Sequence, residues 1–188
     1  MRILINNIIS VCYSLIRFRA IALFSAGRFK SHFIERFSPN TQVSLVGNGS
    51  IKLEKAVRAH TYVKIKAIKN GKIEIGQNTS LNYGCMVTAM QSIKIGKGVE
   101  FGPNVLIYDH DHDFRAEGGL KANKYKMGDV FIGDNCWIGA NTVILRGTSI
   151  GNNSVVGAGS IINGDFPENS IIVQKRENIV KPILSYKT

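Results

Sequence analysis

From residue 41 onward the apolar positions recur every six residues, not every three or four. Leu45, Ile51, Val57 and Val63 form one series, Ile75, Leu81 and Val87 a second, and Ile95, Phe101 and Ile107 a third. The longest runs through Ile132, Ile138, Ile144, Ile150, Val156 and Ile162, with glycine directly after several members, as at Ile138-Gly139 and Val156-Gly157. Successive side chains of a strand face opposite ways, so a period of six fits strand only if the chain turns a corner once per repeat. Three such sides close a triangular coil of about 18 residues, with one aliphatic per side pointing inward and Gly, Asn or Asp at the corners. The pattern therefore predicts a mainly β fold, a parallel β-helix of hexapeptide repeats. Each side hydrogen-bonds to the coil above.

Breaks in the period locate irregularities. The step after Val63 falls on Lys69, in KNG at 69–71, a poor inward residue that predicts a bulge. From Val87 to Ile95 is eight positions, an insertion of about two residues. From Ile107 to Ile132 is 25 positions of mostly polar sequence containing Gly118-Gly119, which predicts a loop over residues 109–128 thrown out from the coil. Long excursions from a regular scaffold tend to carry function. The β-helix is thus expected over residues 41–170, with a C-terminal tail at 171–188 and a separate N-terminal segment at 1–40.

That first segment reads as a basic amphipathic helix. The apolar run ILINNIISVCYSLI at 3–16 is shorter than the roughly 20 residues needed to span a bilayer, and Arg17 and Arg19 close it. Only Arg2 precedes it, so neither a secretory signal nor a spanning helix is expected. Asn6, Asn7, Ser10, Ser14 and Arg17 share one helical face, and Ile5, Ile8, Ile9, Cys12 and Ile16 the other. Such a helix either packs on the rest of the protein or a sister subunit, or lies on an anionic membrane surface with Arg17, Arg19, Arg28, Lys30 and Arg36 assisting.

Charge sharpens the second option. The 188 residues carry 24 Lys and Arg against 13 Asp and Glu, a formal +11. Residues 1–40 hold six basic and one acidic group and residues 41–72 seven and one, whereas residues 73–188 hold eleven of each. The excess lies wholly in the first third. Nucleic acid is not the expected partner, because that basic region lacks the interleaved aromatics of a base-stacking surface. A hydrophobic fraction of 44% excludes wholesale disorder. Cys12, Cys85 and Cys136 are odd in number and widely spaced, which suits packing in a reducing compartment and not a disulfide framework or metal clip.

The candidate chemistry sits where the chain leaves the coil, at IYDHDHDF, residues 107–114. His110 and His112 lie among Asp109, Asp111 and Asp113. A histidine oriented by a carboxylate can accept a hydroxyl proton near neutral pH. The i, i+2 spacing also permits a metal site, and a solvated turn without chemistry fits the same residues.

At this point the chain resembles the hexapeptide-repeat acetyltransferases, in particular the sugar and polysaccharide O-acetyltransferases related to the maltose and galactoside enzymes. The resemblance covers about residues 72–181 and rests on the coils, IYDHDH, DNCWIGANTVIL at 134–145 and IGNNSVVGAGSIIN at 150–163. It implies left-handed coiling and acetyl transfer from acetyl-CoA to an acceptor hydroxyl. The base then falls on His112, with His110 beside it and Asn82 contacting the acceptor. Trp137 would wall the pantetheine arm or the acceptor, a backbone N–H near Gly139 would hold the oxyanion, and Ala140 and Ala158, one coil apart, would meet the pantetheine amides. Asn163 would line the same groove, and Lys181, helped by Lys175 and Arg176, would meet CoA phosphate. The sequence departs from the family pattern at Met90, where an acceptor-site Asp is usual, at Gly164 in place of Lys, and at VQKREN (173–178) in place of a GNPA-type turn.

The resemblance further implies a homotrimer with sites completed across subunit boundaries, a carbohydrate acceptor and no metal. Dependence on acetyl-CoA places the protein in the cytoplasm, with residues 1–40 able to hold it at the inner membrane. The other readings are an N-acyltransferase on a nucleotide-linked amino sugar, a zinc hydratase of the carbonic anhydrase kind, and a non-enzymatic trimeric scaffold or nucleic-acid binder.

Overall fold

The computed structural model describes residues 2–175 and Glu177. Three parallel sheets form the faces of a solenoid. The first face stacks Phe29–Lys30, Ser50–Leu53, Lys72–Ile75, Ser92–Ile95, Val130–Ile132, Ser149–Ile150 and Asp165–Phe166. The second stacks Arg36–Phe37, Arg58–Ala59, Ser80–Leu81, Glu100–Phe101, Trp137–Ile138, Val155–Val156 and Ile171–Ile172. The third stacks Gln42–Leu45, Lys64–Ala67, Met86–Ala89, Leu106–Tyr108, Val143–Ile144 and Ile161–Ile162. The chain visits the faces in rotation for about six turns, consistent with the left-handed coil that the family resemblance implies. The first rung, at Phe29, already lies within the segment that the periodicity set apart as 1–40.

The coils are not uniform. Residues paired on the first face are 22, 22, 20, 37, 18 and 16 positions apart (Phe29 to Ile51, Ile51 to Ile73, Ile73 to Ile93, Ile93 to Val130, Phe131 to Ser149, Ser149 to Asp165). The early coils are wide because most of their strands on the first and third faces are four residues long, and several bury two side chains, as at Ile73 with Ile75 and Ile65 with Ala67. A 22-residue coil breaks the six-residue phase. Val57 and Val63 are buried, yet the residues that stack on Leu81 and Val87 are Ala59 and Ile65. Lys69 is correspondingly not a bulged inward residue but an outward corner residue in the left-handed region, at φ 56°. From Ile132 to Ile162 the coil settles at 18 residues and every sixth residue is buried.

Inward corner positions carry Val, Thr, Ser or Cys, and the polar side chains among them find backbone acceptors. Thr142 Oγ1 donates to the Gly139 carbonyl at 2.7 Å, Ser160 Oγ to Gly157 at 2.7 Å, and the Cys85 and Cys136 thiols to Gly102 and Gly151 at 3.2 Å. Asparagines occupy the left-handed corner positions 78, 104, 135, 141, 153 and 169, where their short amide side chains tolerate positive φ.

Helix α1 (Arg2–Phe24) covers the N-terminal end of the solenoid. It extends through Arg17 and Arg19 to Phe24, so the helix is longer than the 3–16 run, and its segment Asn7–Phe24 is long and apolar enough to cross a membrane by length and composition. Phe18 is its buried anchor, with ring centroids 5.2 Å from Phe29 and 4.9 Å from Phe37. Its polar face also points inward. Phe37 N–H donates to Ser14 Oγ at 2.9 Å, and Arg17 donates to Thr41 O and Oγ1 at 2.9 and 3.1 Å. At the far end Gln174 pairs with the backbone of Ile161 through both amide atoms, at 3.0 and 2.7 Å.

Candidate active site

The excursion at 109–128 is an ordered arm. His110–His112 pairs antiparallel with Tyr125–Met127, and a short 3-10 turn, Gly119–Ala122, forms the tip. The arm replaces one corner on the edge between the third and first faces. The Gly128 N–H closes its base on the Asp109 carbonyl at 2.9 Å.

Asp109 is wholly buried. Its carboxylate accepts from the backbone N–H of Met90 at 2.8 Å and of Gln91 at 2.7 Å, one coil below, and Oδ1 lies 2.8 Å from His110 Nδ1. Donation from Nδ1 fixes the imidazole tautomer and leaves Nε2 as the basic nitrogen. Strand alternation puts His110 and His112 on one side of the arm, with Tyr125 directly opposite His112 in register. The Tyr125 ring lies 4.7 Å from that of His112 and 5.8 Å from that of His110, and Lys69 Nζ sits 4.2 Å over the same ring. His110 is half-buried and His112 exposed. Asp111, on the opposite side, accepts from Arg146 Nε at 2.7 Å, and Asn163 donates to the Arg146 carbonyl. The arm root is thereby tied to the next two corners of its edge.

The remaining candidates lie elsewhere on the prism. Asn82, Gly139, Ala140 and Ala158 occupy corners on the edge between the second and third faces. Gly139 is forced to be glycine by packing, since a Cβ there would lie 2.5 Å from Ala158 N. The Gly139 N–H is itself engaged by the Val156 carbonyl at 2.8 Å, so the donors near it that have no partner among the described residues are the N–H groups of Ala140 and Ala158. A groove of about 290 Å³ runs beside Ala158, Val173 and Gln174. Trp137 projects from the second face, 59% exposed. Lys175 is exposed and pairs with Glu177 at 3.3 Å, while Arg176 and Lys181 fall outside the described residues. Asn163 is therefore on the arm's edge, apart from Ala140 and Ala158. Within one chain the histidines and the free N–H groups stand on different edges.

Asp109 was legible as a neighbour of the histidines but not as their anchor. Tyr125, Arg146 and Lys69 gave no local signal, because each reaches the histidine arm only through the coil stacking or the arm's own pairing.

The chain is similar to known proteins over part of its length. Residues 129–164 match the family described as bacterial transferase hexapeptide (six repeats). Galactoside O-acetyltransferase of Escherichia coli is 36% identical over 99 residues, 53% of this chain and 48% of that one. The chain spans about half the length of most curated relatives it matches. A hexapeptide-repeat acetyltransferase of Vibrio cholerae, solved with acetyl coenzyme A, superposes with a TM-score of 0.51 at 32% identity over 54% of this chain and 55% of that one. A maltose O-acetyltransferase of Clostridium difficile does so with a TM-score of 0.51 at 27% identity, covering 86% and 73%. Residues 129–164 thus match the hexapeptide-repeat pattern, and the resemblance read from IYDHDH and the WIG and GAG runs extends to solved acetyltransferases.

Proposed function

We propose that this protein is an acetyl-CoA-dependent O-acetyltransferase acting on a hydroxyl of a carbohydrate, of the kind found in bacterial surface polysaccharides or their precursors. The observation that carries the reading is the arm itself. A buried carboxylate holds one imidazole, and a second, exposed imidazole stands two residues on along the same side.

In this reading His112 takes the proton of the acceptor hydroxyl as its oxygen attacks the thioester carbonyl carbon. The tetrahedral intermediate collapses by breaking the C–S bond, and the proton passes from His112 to the leaving thiolate. His110, locked by Asp109, and Tyr125 keep the His112 ring in one orientation. The unpartnered N–H groups of Ala140 and Ala158 suit the thioester oxygen and a pantetheine carbonyl. Acetyl-CoA supplies the acyl group, and Trp137 and the groove beside Ala158 offer it a wall. Because the histidines and these donors stand on different edges, a complete site requires two copies, which favours a trimer in which the arm of one protomer meets the second–third edge of its partner. Asn82, on that same edge two coils below Ala140, would face the acceptor.

The test is calorimetric titration of acetyl-CoA, followed by thiol release with a panel of glycosides. Binding near one site per chain, with turnover lost about 10²- to 10⁴-fold in His112→Ala at unchanged affinity for acetyl-CoA, is expected. Undiminished turnover in that variant would reassign the base to His110. Absence of acetyl-CoA binding would remove the reading altogether.

A further inference from the structure

Helix α1 is mounted with its polar side toward the protein. Ser14, Arg17 and Phe18 engage the first coil, which turns Ile8, Ile9, Ile16, Leu23 and Phe24 outward at 54, 51, 73, 78 and 83% exposure. Phe33 and Ile34, on the first corner of the solenoid, extend the same apolar surface at 64 and 55% exposure. Arg19 lies over the Phe33 ring at 4.2 Å, with its guanidinium at the border of this surface.

Beside the helix, two grooves of about 360 and 390 Å³ meet at Arg36 and Arg58. One is walled by polar groups that include Ser10 and His60, and the other by Ile8, Val11 and Ile34. Arg58 pairs with Glu100 at 2.7 Å, whereas Arg36 has no acidic partner among the described residues. Burial, and then these two guanidinia, push the His60 pKa down.

The whole formal charge of +11 resides in residues 1–72, the helix and its adjoining coils, while residues 73–188 balance. Strands on neighbouring coils are about 4.8 Å apart. Residues 29–72 form the first two coils and therefore lie within about 10 Å of the helix, close to the Debye length of ~8 Å at physiological salt.

We propose that this end of the solenoid is a membrane-docking face, with α1 lying in the interface of an anionic bilayer and Arg36 meeting a lipid phosphate. Three features favour a bilayer. The apolar surface is long, narrow and bordered by cations, as an interfacial helix requires. Buried Ser14 and Phe18 hold the helix across the coil end and so prevent it from standing upright as a span. A second copy docked on the same surface would oppose Arg19, Arg28 and Lys30 with their own like charges, whereas anionic headgroups complement them.

Flotation of the full chain with vesicles of phosphatidylcholine alone, and of phosphatidylcholine mixed with phosphatidylglycerol, tests the assignment. Binding is expected with the anionic vesicles and weakens with salt. Ile16→Glu with Leu23→Glu, both on exposed positions, should lower binding at least about tenfold while Tm, solution mass and acetyl-CoA affinity hold. Arg36→Gln should lower it severalfold. Equal flotation with both vesicle types, or none with either, overturns the proposal. A fall in solution mass in the double variant also overturns it, by showing that another copy covers the face. None of these readouts depends on turnover.

Discussion

The buried carboxylate of Asp109 and the imidazole of His110 are sequence neighbours joined side chain to side chain at 2.8 Å. Such a contact between adjacent residues on an extended chain requires one of them to turn back into the protein. Asp109 does so because the amides of Met90 and Gln91 at the corner below have no other acceptor. The eight-position step from Val87 to Ile95 is therefore not an insertion: two four-residue strands take it up and leave a corner of only two residues, 90–91, which forms one structural unit with the histidine arm.

Replacing that carboxylate by a neutral amide should separate positioning from binding. Asp109→Asn loses one of the two charged acceptor oxygens and the charge opposite His110. Turnover should fall about 10- to 100-fold with stability lower by about 1–3 kcal/mol, while the Kd for acetyl-CoA holds. The pH–rate profile should also shift, which a purely structural loss would leave in place. Steady-state kinetics with chemical denaturation checks both.

Gly139→Ala should damage the coil and the donor edge together. Its Cβ would come within 2.5 Å of Ala158 N and 2.7 Å of Ala158 Cα, both backbone atoms that cannot rotate aside. A loss of about 2 kcal/mol or more is expected, with weaker acetyl-CoA binding because Ala158 must shift. Ala140→Gly, one residue on, should change binding little. Thermal melts and calorimetry of the pair decide the matter.

Glu35 is buried under helix α1 with Oε1 accepting from His32 N–H at 3.2 Å and Oε2 without a partner among the described residues. Burial raises its pKa to about 8, against a smaller pull from the amides of His32 and Val57. The folded state thus keeps a proton that the unfolded chain gives up near its ordinary value of 4.5. This contribution to stability is complete below that value and is lost as pH rises to about 8. Glu35→Gln should therefore be close to neutral near the acid end and stabilising by about 1–3 kcal/mol at the alkaline end. Urea denaturation across that range would show the two curves diverging with pH, and parallel curves would contradict the assignment.

Thiol chemistry should discriminate the three cysteines. Burial pushes the Cys85 thiol up to about 11 and raises Cys136 as well, and both donate to backbone carbonyls. Cys12 is exposed on α1. Native protein treated with a maleimide near neutral pH should take one label per chain, at Cys12, and all three only after unfolding. Intact-mass measurement reads this directly.

The late coils were readable because an 18-residue turn is a multiple of six, so Ile132 through Ile162 keep one phase. The early coils lose it: four-residue strands on two faces hand the stacking positions to Ala59 and Ile65, and a simple count lands on Val57 and Val63. Helix α1 was legible as a helix, but not which way it faces. An amphipathic pattern shows two sides without saying what each meets. Here the end of the solenoid presents backbone groups, the Phe37 N–H and the Thr41 carbonyl, that need Ser14 and Arg17 more than they need isoleucine. In the candidate site His110, His112 and Asp109 are contiguous and stood out at once. Tyr125 comes from the returning strand of the arm and Lys69 from a corner two coils below, placements that depend on a coil width no local window reveals.

A solenoid has no intrinsic length, since each rung offers the next the same unpaired amides and carbonyls. Among the described residues α1 is seated on the first rung, and Gln174 is bonded across the last strand edge of the third face at Ile161. Either cap, once removed, would leave a bare strand edge of the kind that templates another chain. Each cap thus works against the growth of a discrete particle into a filament.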